Sequence, residues 1–113
     1  MELTIMQHGD EAGHSTLALA GSIDLTTRQS LVDAGVGALT EGALLTLDMA
    51  DVEFIDSTGI GSLLELGRIA AANGARVEIS RRSPRVARVL EVTGLDSTWP
   101  AATTEAGSFT GDR

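Results

Sequence analysis

Residues 43–74 read ALLTLDMADVEFIDSTGIGSLLELGRIAAANG, an apolar run, a polar turn and a second patterned run in one segment. Ala43, Leu44, Leu45, Thr46 and Leu47 have the nearly continuous apolar character of a strand covered on both faces, as in a parallel or mixed sheet with helices packed over it. The strand's end leads into residues 48–56. A helix is expected from Ser57 to Ala72, because Ile60, Leu63, Leu64, Gly67 and Ala71 fall on one stripe and Asn73-Gly74 is a stop signal.

Outward from this segment the same alternation continues. Leu3 and Ile5, then Leu17 and Leu19, alternate with other residues on either side of the polar stretch 8–14, which predicts an opening β-hairpin. Leu31, Val32, Val36 and Leu39 follow at helical spacing after Asp24, a good N-cap type, so an amphipathic helix is expected over residues 25–39, weakened in its last turns by Gly35 and Gly37. Arg76-Val77-Glu78-Ile79 alternates as a strand. Ser83-Pro84 reads as an N-cap followed by Pro in the first helical position, with Val86, Val89, Leu90 and Thr93 facing inward before Gly94 closes the helix. The order is β-β-α-β-α-β-α, a small open sheet with helices packed on it and therefore an α/β domain. After Trp99-Pro100 the pattern fades. A short last strand near residues 97–99 is expected, then a loosely held tail over residues 101–113, with Glu105-Ala106 as the only hint of a fourth helix.

Composition narrows the chemistry. The 113 residues carry 16 acidic and 8 basic side chains, a formal net charge of −8, with 42% apolar residues and no Cys. One domain of this length buries roughly two thirds of its unfolded surface and needs no staples. Without Cys there is no disulfide, thiolate nucleophile or Cys-ligated zinc, and nothing demands an oxidising compartment, so a cytoplasmic protein is expected. Every basic residue is Arg, which leaves no Lys for a Schiff base or for the phosphate loop G-x-x-x-x-G-K-[ST]. No apolar run approaches the ~20 residues of a membrane span, and residues 1–10 lack the pattern of a signal peptide. Up to Glu65 there are 11 acids against Arg28 alone, whereas from Leu66 onward 7 Arg face 5 acids. An acidic first half disfavours nucleic acid and suits a partner with a basic docking surface; a merely solvated acidic face explains the same balance.

Phe54-Ile55-Asp56-Ser57-Thr58-Gly59-Ile60-Gly61 breaks a local rule, since two Gly in the first turns of a helix cost roughly 1 kcal/mol each relative to Ala. Such conflicts mark candidate functional sites. Bare positions 59 and 61 let another backbone or a phosphoryl donor come close to the hydroxyls of Ser57 and Thr58, at a helix N-terminus that favours an added anion. A phosphate there adds about −2 of charge beside Asp56, and beside Asp24 if the two turns share a face. Alternatively, Asp56 or Ser57 is only an N-cap, worth about 1 kcal/mol, and the residues alone leave both readings open. His8 and His14 with Ser57 and Asp24 can be drawn as a catalytic triad, yet nothing orients them, and two His without Cys match no metal pattern. Arg81, Arg82, Arg85 and Arg88 read as a solvated face with Arg88 and Glu91 paired, Arg81 and Arg82 being free to meet a carboxylate of a partner or of the acidic half. Without interleaved aromatics they make a poor nucleic-acid patch. Trp99 reads as a lid on the core edge.

Gly21-Ser22-Ile23-Asp24, the stretch from Leu47-Asp48 through Val52 to Gly61, and Ser83-Pro84 through Arg88-Val89-Leu90 to Thr93-Gly94-Leu95 together resemble the bacterial anti-sigma factor antagonists of the STAS domain family. The resemblance spans residues 3–100 and places the STAS domain at 1–100. It implies a small mixed sheet of four to five strands with three to four helices, and a partner-switching role in transcription regulation, in stress response or sporulation. By the match, Ser57 is phosphorylated by an anti-sigma factor that is itself an ATP-dependent serine kinase, with Thr58 as a secondary acceptor. Unphosphorylated, such a protein binds the kinase and frees the sigma factor; phosphorylated, it lets go until a metal-dependent phosphatase restores the Ser. Asp24, Asp56, Ser57, Thr58, Gly59, Ile60 and Gly61 then form the partner-binding surface. The resemblance implies a substrate and not an enzyme, with no catalytic residue, cofactor or metal of its own and no direct contact with nucleic acid or membrane. A rival keeps the fold as a non-catalytic STAS subunit of a lipid-transport ATPase complex or a stress-signalling scaffold, and a hydrolase is a third choice.

Overall fold

Residues 2–9, 13–39 and 43–95 are described by a computed structural model. β1 (Leu3–Gly9) and β2 (Ser15–Ile23) form the expected hairpin, antiparallel with Ile5 opposite Leu19 and His8 opposite Thr16. β2 runs parallel to β3 (Leu44–Ile55), and β3 parallel to β4 (Arg76–Arg82), so the mixed sheet has the order β1-β2-β3-β4. Three helices connect and complete it: α1 (Arg28–Ala38), α2 (Ser57–Ala72) and α3 (Pro84–Thr93). The chain order is the expected β-β-α-β-α-β-α. The anticipated last strand, fourth helix, Trp99 and tail lie outside the described residues.

β3 is longer than the sequence suggests. Its apolar run was expected to end at Leu47, but the strand continues to Ile55 because Met49, Val52 and Ile55 still reach the core between Asp48, Asp51 and Glu53. Two register shifts against β2, between Ala18 and Ala20 and between Gly21 and Ser22, change which positions point inward. Burial along Leu44 to Met49 also alternates, buried then half-buried, where continuous cover on both faces was expected. Leu17, Leu19 and Ile23 of β2 join Leu45, Leu47 and Met49 of β3, Ile79 of β4 and the helical Leu31, Leu63, Leu66, Val86 and Leu90 in one core.

The helices depart from expectation in small, explicable ways. α1 begins at Arg28, three residues after the anticipated start, since Asp24 closes a separate turn before the helix. α2 has the expected bounds, but its buried residues are Gly59, Ile60, Ser62, Leu63, Leu66 and Ala70; Leu64 and Gly67 are half-buried and Ala71 is exposed. Gly35 does more than weaken α1: a Cβ there would lie 2.5 Å from Leu66 Cδ2, so its absence lets α1 and α2 pack closely. α3 follows its signals, with Ser83 Oγ accepting from the Val86 N–H at 3.1 Å, Pro84 in the first turn, and Gly94 at φ 78°. Thr93, expected inward, is exposed and donates its hydroxyl to Val89 O at 2.8 Å.

Candidate functional site

β2 and β3 end side by side, with Ile23 opposite Ile55 in the parallel register. The Asp56 N–H donates to Ile23 O at 3.4 Å, so the turn after β2 and the turn after β3 leave the sheet at the same edge. This brings Asp24 and Asp56 to one end of the molecule, the condition under which a charge on Ser57 would be felt at Asp24. Gly59 makes the junction possible: a Cβ there would sit 2.4 Å from Ile23 O and 2.8 Å from Ile55 Cγ1. Its bare Cα serves close packing inside the protein.

Asp56 is the N-cap of α2. Its Oδ1 accepts from the Gly59 N–H at 2.9 Å, and its carbonyl accepts from the Ile60 N–H at 2.9 Å. Ser57 is therefore the first helical residue and not the cap; it is exposed, and its hydroxyl bonds to no described residue. Thr58 is half-buried, whereas Gly59 and Ile60 face the core. Gly61 lies on the exposed side, and a Cβ there would meet nothing within 4 Å. The two glycines that break the helix rule thus differ, one explained by internal packing and the other by nothing within the fold.

The Asp24 turn is held by its own hydrogen bonds. Asp24 Oδ1 accepts from the Thr26 N–H at 2.9 Å and from the Thr26 hydroxyl at 2.7 Å. The Asp24 N–H donates to Thr27 Oγ1 at 3.0 Å, and that hydroxyl donates to Ser22 O at 2.7 Å. Leu25, read from sequence as the first residue of the helix, sits instead in this turn and is 71% exposed. Its only sequence signal is an apolar residue directly after a capping Asp. Beyond the turn, Arg28 approaches Glu65 at 3.5 Å, which joins the start of α1 to the exposed side of α2.

Hydrogen bonds from Thr26 hold the Asp24 carboxyl below its ordinary 3.8, outweighing the opposing effect of burial. Asp48 is lowered in the same way by Arg81, whose Nε and Nη2 donate to its two oxygens at 3.1 and 2.6 Å. Both groups titrate lower when folded than when unfolded, so their stabilisation is fully present above about pH 3.8 and is lost as pH falls through the folded values. A carboxyl NMR titration is expected to place both midpoints below 3.8, and Thr26→Val should raise that of Asp24 alone.

The remaining candidates separate from this edge. His14 Nδ1 accepts from the Leu44 N–H at 2.8 Å, which ties the hairpin to the start of β3, and His8 is exposed on β1. Ser57 follows the end of β3, so the strand's whole length stands between these histidines and Ser57, and no triad forms. Among the described residues, no group of three or more His, Cys, Asp or Glu is arranged to hold a metal ion. No described helix is long and apolar enough to cross a membrane. The Arg cluster is partly spoken for: Arg81 meets Asp48 of the acidic half, and Arg85 lies 5.6 Å over the Phe54 ring. Arg88 and Glu91 are exposed and do not form the anticipated pair.

Comparison with known proteins agrees with this architecture. A family model described as Mlab, STAS domain, matches residues 6–100. The anti-sigma-B factor antagonist of Bacillus subtilis (strain 168) is 30% identical over 77 residues, 68% of this chain and 71% of that one. The anti-sigma-B factor antagonist of Listeria monocytogenes is 28% identical over 96 residues, 84% of each chain. An anti-sigma factor antagonist from Mycobacterium paratuberculosis superposes with a TM-score of 0.76 at 26% identity, covering 92% of this chain and 88% of that one. SpoIIAA in its unphosphorylated form shares the fold, with a TM-score of 0.65 at 20% identity over 97% of this chain and 90% of its own. The family model covers most of the chain, the relatives and the mixed four-stranded sheet agree with it, and the chain belongs to the STAS domain family.

Proposed function

We propose that this protein is an anti-sigma factor antagonist: unphosphorylated, it binds a serine-kinase anti-sigma factor and releases the sigma factor, and a phosphate on Ser57 switches that binding off. The observation that carries the reading is the division of labour at the start of α2. Asp56 does the capping, which leaves the Ser57 hydroxyl exposed and without a structural task. An anion on Ser57 would sit at the positive end of α2, an interaction worth about 0.3–1 kcal/mol, so the fold accommodates the phosphate. Gly61 supports a docked partner, since it forgoes roughly 1 kcal/mol of helix propensity relative to Ala and clears the surface one turn beyond Ser57.

In this reading the chain is a substrate in the cytoplasm. ATP belongs to the kinase, and the metal to the phosphatase that restores Ser57. Asp24, Asp56, Ser57, Thr58 and Gly61 face or border the docking surface, while Gly59 and Ile60 shape it from below; residues 1–100 carry the function. The test is affinity capture with wild-type and Ser57→Ala protein, followed by ATP addition and phosphopeptide mass spectrometry. Both proteins should retain a small ATP-binding serine kinase, and only the wild type should gain phosphate at Ser57. Full incorporation into Ser57→Ala, with none at Thr58, would move the acceptor elsewhere. Recovery of a transporter or scaffold complex, indifferent to Ser57, would favour a structural STAS subunit.

A further inference from the structure

We propose that Leu25 is the apolar anchor of the kinase-docking surface, an inference that rests on the partner-switching reading above. The turn that carries it is inverted. Asp24 and Thr27 are only 8% and 7% exposed, whereas the Leu between them is 71% exposed. Single exposed apolar residues are ordinary on protein surfaces. Two further observations bear on it, and the second sets it apart from Met6 in mid-β1, Val36 in α1 and Val92 at the end of α3.

The first is rigidity. Hydrogen bonds pin the chain on both sides of Leu25, from Ser22 O through Thr27 Oγ1 to the Asp24 N–H, and from Asp24 O to the Arg28 N–H at 2.9 Å. A side chain on such a turn has surrendered its backbone freedom before any partner arrives, which lowers the entropic cost of using it as a contact. The second is position. Ile23 O touches both the Asp56 N–H and the site of Gly59, and two residues of chain reach at most about 7 Å. Leu25 and Ser57 therefore lie within one standard interface of about 800 Å² per partner.

The surroundings define the occupant. Asp56 is half-exposed beside the turn; Asp51 and Glu53 are exposed farther back along β3, where they line a cleft with Arg85, and Arg28, which follows the turn, is engaged by Glu65 at 3.5 Å. The matching surface is an apolar pocket rimmed by basic side chains on the kinase, with Leu25 filling the pocket and Asp56 facing the rim.

The test titrates the purified kinase recovered with the Ser57→Ala protein against wild type, Leu25→Ala, Leu25→Met and Val92→Ala, with Tm measured for each. Leu25→Ala should weaken binding about tenfold or more and raise KM for Ser57 phosphorylation by a similar factor, with kcat within about twofold. Leu25→Met should recover most of the affinity, Val92→Ala should bind as wild type, and Tm should hold throughout. Wild-type affinity for Leu25→Ala, in a protein that is phosphorylated at Ser57, would overturn the anchor alone. Equal loss in Val92→Ala would overturn it too, as would loss in Leu25→Ala with a fallen Tm and no rescue by Leu25→Met. Absence of both binding and phosphorylation in the wild type would overturn the partner-switching reading, and the anchor with it.

Discussion

Gly59→Ala is expected to destabilise the protein by about 2 kcal/mol and to lower Tm by roughly 10 °C. The added methyl would lie 2.4 Å from Ile23 O and 2.8 and 2.9 Å from carbons of Ile55 and Ile23. Overpacking of this kind costs about 1–3 kcal/mol, and here the nearest atom is a backbone carbonyl that cannot rotate away. The roughly 1 kcal/mol of helix propensity gained with Ala offsets only part of that cost. Relief requires moving α2 away from the end of β2, which separates the Ser57 turn from the Asp24 turn. Gly61→Ala should do the opposite, raising stability by roughly 1 kcal/mol because its Cβ meets nothing and the helix gains propensity. Thermal denaturation of the two variants checks the pair. A Gly61→Ala protein that is more stable and yet binds the kinase less well locates the role of Gly61 in the complex; unchanged binding would remove Gly61 from the docking surface.

This pair also marks where sequence reasoning stops. Both glycines violate the same propensity rule, and the rule cannot say which is answered inside the protein. Gly59 needs the carbonyl of Ile23, a residue brought near only by the parallel pairing of β2 with β3. The extension of β3 to Ile55 was hidden for the same reason, since the register shifts that turn Val52 and Ile55 inward belong to the pairing and not to either strand. Where information is local, the sequence was sufficient: Ser83-Pro84 and Gly94 bound α3 through a cap, a ring and a left-handed turn that involve only neighbours. Asp24 fell between the two cases. Its capping chemistry was legible, but it closes a turn whose other member, Thr27, is tied back to Ser22, so the helix starts later and Leu25 emerges into solvent. His14 was legible only as unplaced; its role as an acceptor for the Leu44 N–H depends on a long-range contact.

Ser57→Glu is expected to lower affinity for the kinase a hundredfold or more while leaving Tm at or slightly above the wild-type value. The stability half follows from the site itself. Ser57 is exposed and its hydroxyl bonds to no described residue, so its replacement removes nothing from the fold. A carboxylate in the first turn of a helix is favourable by about 0.3–1 kcal/mol, which sets the sign. The affinity half follows from what surrounds it. Asp56 is adjacent and the Asp24 turn shares the same edge, so a docked surface already matched to acidic groups must also desolvate a new charge. A few kcal/mol lost there corresponds to the hundredfold change. Opposite movements of stability and affinity separate a switch from a cap. If Ser57 mattered mainly to α2, Ser57→Glu and Ser57→Ala would shift Tm together, and binding would follow folding. If the hydroxyl is reserved for phosphate, Ser57→Ala keeps the kinase, Ser57→Glu releases it, and both stay folded. Calorimetric titration of the two variants beside their melting curves decides between these outcomes.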